Sequence, residues 1–192
     1  VSDKFFFNAQ SLAVQLNKTY PVGADVGSGA YWTYRSPDLS SGNLVGTHIA
    51  WGDTPRFALR TSGTAVYNYA GGTTPTDNMG RTGVISAGRL GIDFQSRQVS
   101  TLDPISMGFA KTTTAGGVAY SVPTGSTWSL ATGQQTLSNV RCVGCNGAVT
   151  GYINGRIVGV TGVGYVAGLS VQSTVGTPSV NHVGATAMAF GR

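Results

Sequence analysis

A chain of 192 residues with 41% hydrophobic residues can bury a core without metal or disulfide staples, and this apolar fraction excludes a disordered chain. Only 10% of residues are charged, against about 25% in typical globular chains, and all seven acids are Asp, so the Glu- and Lys-rich faces of long helices are missing. The formal charge of +5 comes from scattered residues such as Arg35, Arg56, Arg60, Arg81, Arg89, Arg97, Arg141 and Arg156, not from a basic stripe, which argues against nucleic-acid binding and supports a mild attraction to anionic partners.

In chain order, Lys4 to Leu16 fits two patterns. Phe5, Leu12 and Leu16 share a helical face, whereas Phe5, Phe7 and Ala9 alternate as in a strand. The segment is therefore expected as one short N-terminal helix or an added strand. From Ala30 onward the pattern is strands and turns. Ala30 to Arg35 is aromatic-rich, and Thr47 to Trp51 follows a Ser/Gly/Asn stretch. Thr64 to Ala70 sets Ala65, Tyr67 and Tyr69 on one face, and Gly71-Gly72 supplies the positive φ of a hairpin. Arg89 to Phe94 alternates Leu90, Ile92 and Phe94 with Arg89, Gly91 and Asp93.

Ile105, Met107 and Phe109 continue the theme, then Val118, Tyr120 and Val122, then Trp128 and Leu130. Ala148 to Val160 is Gly-rich and β-branched, Tyr165 to Val171 alternates, and Val183 to Phe190 sets alanines against Met188 and Phe190. Small and bulky residues sorted to opposite faces suit a tight barrel, and Gly91, Gly108, Gly151, Gly155 and Gly168 suit its corners. The expected fold is all-β: an eight-stranded antiparallel barrel with Gly-rich loops over 30–192, preceded by an N-terminal arm over 1–29. No stretch approaches the roughly 20 apolar residues of a membrane-spanning helix.

Several motifs carry a resemblance. They are Gly46-Thr-His48-Ile-Ala-Trp51-Gly52, Ser62-Gly63-Thr-Ala-Val-Tyr67, Gly71-Gly72-Thr73-Thr-Pro75-Thr76, the strand Leu90-Gly-Ile92-Asp93-Phe94 and the tail Val183 to Arg192. The chain from about residue 30 to its end resembles the small β-barrel domain of transferrin-binding-protein-B-like surface lipoproteins, also found at the C-terminal end of some FecR-domain proteins of proteobacteria. The resemblance implies an eight-stranded barrel exported to the periplasm or cell surface, with contexts in iron or haem acquisition or signalling, and carries no catalytic set. The lipidated N-terminal Cys of such lipoproteins is not present in this sequence.

Reactive groups are few. His48 and His182 are the only histidines, and no Gly-x-Ser-x-Gly elbow occurs. Asp25, Asp38, Asp53, Asp77 and Asp103 stand in turn-like contexts, where Asp caps and bends the chain. The glycine runs 23–29 and 159–168 lack the Gly-Lys-Ser/Thr of a phosphate loop. Cys142-Val-Gly-Cys145 is compatible with a disulfide in an oxidising compartment, with free thiols, with half a zinc site, or with a redox C-x-x-C motif. No metal or cofactor is expected. Tyr31, Trp32, Tyr34 and Trp51 suit core or cross-strand packing and equally a recognition surface, because Tyr and Trp are favoured at binding hot spots; with His48 they are the candidate ligand-binding residues.

The expectation is a non-catalytic, extracytoplasmic module of a bacterial envelope or cell-surface protein with a protein partner. The alternative is a structural subunit of an extracellular fibre or coat, self-assembled through strand exchange by residues 1–20.

Overall fold

The computed structural model describes Ser2–Lys4, Tyr31–Arg35, His48–Asp53, Pro55 and residues 58–192 except 114, 115, 132, 160 and 178. Of the ambiguous N-terminal segment, residues 5–16 lie outside the described residues, as do Asp25, Asp38 and the glycine run 23–29.

The described residues form strands and turns with no helix. The strands are β1 (Ser2–Lys4), β2 (Tyr31–Arg35), β3 (His48–Asp53), β4 (Thr64–Gly72), β5 (Thr76–Asp77), β6 (Gly83–Ser86), β7 (Arg89–Asp93) and β8 (Gln98–Thr101). They continue as β9 (Ile105–Phe109), β10 (Val118–Val122), β11 (Thr127–Ser129), β12 (Gln135–Leu137), β13 (Arg141–Val143), β14 (Thr150–Val158), β15 (Gly164–Val175) and β16 (Val180–Gly191). Every run read as a strand from Ala30 onward is one. The unforeseen strands β5, β6, β8, β12 and β13 are two to four residues long, too short to show an alternation.

Eight strands form one antiparallel sheet in the order β11-β8-β7-β4-β16-β15-β14-β12, with β5 added beside β16. The sheet curls into a nearly closed barrel, as the alternation predicts. Its two edge strands, β11 and β12, are joined by a side chain. The Ser129 N–H donates to Gln135 Oε1 at 2.7 Å, and Gln135 Nε2 donates to the Ser129 carbonyl at 2.8 Å. A primary amide thus replaces a peptide at the seam and satisfies edge groups that would otherwise be unpaired.

Alternate residues of each strand fill the interior. Tyr67, Leu90, Ile92, Val99, Ile153 and Phe190 are among the fully buried side chains of the main core. Two polar tips are satisfied there: Trp128 Nε1–H donates to Tyr165 Oη at 2.7 Å, and Tyr67 Oη–H donates to the Gly162 carbonyl at 2.7 Å.

Two smaller sheets complete the described residues. The four-stranded sheet β13-β10-β9-β6 turns Ile105, Met107, Phe109, Val118, Tyr120 and Val122 into the same core as Leu169, Val171 and Val175. Gly184 makes this contact possible, since a Cβ there would lie 2.8 Å from the Phe109 ring. The three-stranded ribbon β1-β3-β2 packs elsewhere, where Ala50 meets Val158, Val166, Ala187 and Ala189. A Cβ at Gly52 would lie 2.7 Å from Val158 Cβ. Ala187 and Ala189 of β16 therefore face the ribbon, while Met188 and Phe190 fill the main core.

One expectation is corrected. Gly71 does take a positive φ of 144°, but no hairpin forms there. The strand β4 runs on through Gly72, and its pairing with β16 shifts register between Ala189 and Phe190. The glycine serves a bulge in a continuing strand.

Candidate functional site

The ribbon places the residues expected to bind a ligand. Tyr31 pairs with Gly52, Trp32 with Trp51, Tyr34 with Ile49 and Arg35 with His48. Tyr31, Trp32, Tyr34 and Trp51 are thus gathered on two neighbouring strands; of these four the backbone is described and the side chains are not. His48 is buried at 2% exposure, with Nδ1 2.6 Å from Thr73 Oγ1 and Nε2 2.6 Å from Thr76 Oγ1. Thr73 Oγ1 also accepts the Ala187 N–H at 2.9 Å, and Thr186 Oγ1 donates to the Thr73 carbonyl at 2.8 Å. His48 thereby ties the ribbon to the loop between β4 and β5 and, through Thr73, to β16.

A second cluster joins residues far apart in sequence. On the turn after β5, Asp77 Oδ1 accepts the Met79 and Arg81 N–H groups at 3.0 and 2.7 Å, the capping role expected of Asp. Its Oδ2 accepts Arg81 Nε–H at 2.6 Å and lies 3.0 Å from His182 Nε2. Arg81 Nη1 donates onward to the carbonyls of Ala110 and Gly116 at 3.2 and 2.7 Å. On the other side of the imidazole, His182 Nδ1 is 2.5 Å from Tyr120 Oη, which is 2.6 Å from Ser173 Oγ. Ser173 Oγ in turn lies 3.1 Å from Cys145 Sγ. The Tyr120 ring stacks on the imidazole at 5.5 Å, and Phe109 meets it edge-on at 5.3 Å.

The strands explain the assembly. Ser173 and His182 are cross-strand partners in the β15–β16 ladder. Tyr120 and Cys142 are partners in β10–β13, and an isolated bridge sets Cys145 beside Val175, two residues from Ser173. Cys142 and Cys145 lie at disulfide distance, with Cα atoms 5.8 Å apart, and the sulfurs bond. Gly144 makes the turn between them, with φ of 87°; a Cβ there would meet the Gly117 carbonyl.

Burial and charge set the protonation states. Burial pushes the Asp77 carboxyl up, but the bonds from His182 and from the Arg81 N–H and guanidinium outweigh it, and the net pKa is lowered. Asp77 is therefore an anion at neutral pH. Burial raises the Tyr120 phenol above its ordinary value, so it stays protonated and able to donate. With Nε2–H donating to Asp77, Nδ1 accepts from Tyr120, and Tyr120 Oη accepts from Ser173.

Acid, imidazole and hydroxyl in sequence are the elements of hydrolytic catalysis. Here, however, Asp77 and His182 are fully buried, and Tyr120 and Ser173 are 2% and 3% exposed. The two hydroxyls of this cluster are shut away from solvent, and the chain can pass a proton inside the protein. Among the described residues no group of three His, Cys, Asp or Glu side chains could hold a metal.

Sequence reasoning weighed His182, Asp77 and the cysteines one at a time and passed over Arg81, Tyr120 and Ser173 as site residues. Tyr120 was legible as a core position. Nothing in the one-dimensional pattern connects it to Ser173 or His182, because the link exists only through register. No family model, no curated protein and no solved structure matches this chain.

Proposed function

We propose that the chain is a binding module of a bacterial envelope or cell-surface protein that engages a protein partner through its sheet surfaces. One observation carries this reading. The polar groups of the two histidine clusters are buried and bonded to one another, whereas the outer face of the four-stranded sheet is open and uncharged over most of its area. There Val84, Gly108, Ala119 and Val143 form one cross-strand row. Val84 and Val143, on the edge strands, are each 76% exposed, and small residues lie between them. Ser86, Ser106, Ser121 and Arg141 form the next row. Exposed apolar side chains on the edge strands β6 and β13 fit a protein partner.

The positions of Trp32, Tyr34 and Trp51 add to this. Trp32 and Trp51 are cross-strand partners and Tyr34 pairs with Ile49 on the same two strands, so these aromatic positions are neighbours in the ribbon. The sulfurs at bonding distance hint at an oxidising, extracytoplasmic compartment. The barrel-domain resemblance supplies the envelope setting and its iron- or haem-linked context. Capture from native envelope extract tests the reading: the double variant Val84→Lys, Val143→Lys is expected to keep its β-type circular-dichroism spectrum and lose the partner held by the parent chain. Equal capture by both chains would remove the sheet face from consideration.

A second reading, assembly by strand exchange, is favoured by β1. It is an edge strand of three residues paired to β3, and residues 5–30 separate it in sequence from β2. Long assemblies in electron micrographs that vanish on deleting residues 1–20 would select it; a monomer in size-exclusion chromatography would select the first.

A further inference from the structure

Beyond partner binding, we propose that Cys142–Cys145 is a thiol–disulfide exchange site, served by the buried chain Ser173–Tyr120–His182–Asp77, for a co-reactant bearing a thiol or disulfide.

The two sulfurs occupy different surroundings. Cys142 sits on the edge strand β13, half-buried and flanked by the exposed Arg141 and Val143. Cys145, also half-buried, has its sulfur 3.1 Å from Ser173 Oγ, the first group of the polar chain. In the disulfide Cys145 carries no proton, whereas in the dithiol its S–H faces Ser173 Oγ as a ready acceptor. A dithiol that must close needs such an acceptor, because the thiolate and not the thiol is the nucleophile.

The step runs as follows from the dithiol. Cys142 gives its proton to water, and its thiolate attacks the co-reactant disulfide RSSR, forming Cys142–S–SR and expelling RS⁻, which takes a proton from water. Cys145 S–H then gives its proton to Ser173 Oγ as Ser173 gives its own to Tyr120 Oη and Tyr120 gives its own to His182 Nδ1. The Cys145 sulfur attacks the Cys142 sulfur, the bond to SR breaks, and the second RS⁻ is protonated from water. Two electrons pass from the cysteine pair to RSSR, which leaves as two RSH, and His182 returns its proton through Tyr120 and Ser173 to the hydroxide left when the second RS⁻ was protonated. In the reverse direction RS⁻ attacks Cys142, and Cys145 leaves as a thiolate that recovers its proton through the same chain.

The transient imidazolium is held by Asp77, 3.0 Å from Nε2, and Asp77 is held by Arg81. Among the described residues, His182 faces the titratable groups Asp77 and Tyr120, and Arg81 stands behind Asp77. Ser173 touches the reacting sulfur; Tyr120, His182 and Asp77 act through it as positioning and proton-passing residues.

The test follows closure of the reduced full chain by glutathione disulfide, and in a parallel arm by a peptide disulfide, across pH. The folded chain is expected to close faster than the same chain unfolded in urea with at least one probe, and the faster probe identifies a small or a peptidic co-reactant. Tyr120→Phe and Ser173→Ala are expected to slow closure by about 100-fold and to move its pH dependence toward that of an ordinary thiol near pH 8.5. Closure by the folded chain no faster than in urea with both probes would overturn the proposal. So would a folded Tyr120→Phe chain with an unchanged rate and pH profile. If Tyr120→Phe does not fold, Ser173→Ala and the comparison with urea decide the matter alone.

Discussion

At the scale of single residues, close approach governs more than conformational freedom. Gly155 lies within β14, where a Cβ would fall 2.2 Å from Tyr165 Oη and 2.9 Å from the Val166 carbonyl. That oxygen is fixed by Trp128, and burial raises the phenol well above its ordinary pKa. Gly155→Ala is expected to cost about 2 kcal/mol in urea unfolding, from overpacking a site that cannot relax. Tyr165→Phe in the same chain should recover part of the loss. The glycine was legible as a strand glycine, but its neighbour across the sheet was not.

Asp77 gives a second test. Its pKa is lowered in the folded state, so its stabilising contribution is complete above the unfolded value of about 3.9 and disappears as pH falls through the lower folded value. Thermal stability is therefore expected to decline below about pH 4, and Asp77→Asn should flatten that limb. At neutral pH the same variant leaves Arg81 and His182 buried without their anion, a loss of about 3–5 kcal/mol. Asp93 and Asp103 also have lowered pKa values, the first from the Ser96 and Gln95 N–H groups and the second chiefly from Arg89. Both are exposed ion-pair or turn interactions, screened by water and salt.

At the scale of elements, the barrel seam is the informative place. The strands β11 and β12 are three residues each, and their union rests on the Gln135 side chain. Gln135→Ala is expected to cost about 1–2 kcal/mol and to speed hydrogen exchange at the Ser129 N–H well beyond the effect at β15. Periodicity reads strands of five or more residues because at least two apolar positions repeat. It cannot read Thr76–Asp77 or Gln135–Leu137, which are strands only because a longer neighbour presents free N–H and C=O groups. The turn at Gly71 was misread for a related reason. A Gly-Gly pair announces a positive φ, and only the partner strand decides whether the chain reverses or bulges.

At the scale of the whole molecule, the disulfide closes a short loop and contributes modestly. For a sequence separation of 3, the entropy of closure corresponds to about 2 kcal/mol. The double variant Cys142→Ser, Cys145→Ser is expected to lose no more than that in urea unfolding while keeping the sheet spectrum. A loss several times larger would show that the bond also braces β13 against β15. This stability difference is separate from the exchange kinetics, so the two roles of the pair can be measured independently.

The sequence alone determined the strand class, the long strands, and which of their faces are buried, because period-two alternation is a local property of the chain written in neighbouring residues. It also limited the histidines to two, the cysteines to two and the acids to seven aspartates. Tertiary structure alone decided that Asp77, Tyr120, Ser173 and His182 meet, that Ala187 and Ala189 of β16 lie beneath the ribbon, and that a glutamine nearly closes the barrel. Those contacts depend on register between strands far apart in the chain, 105 positions for Asp77 and His182. A shift of one residue would turn each of these side chains to the opposite face.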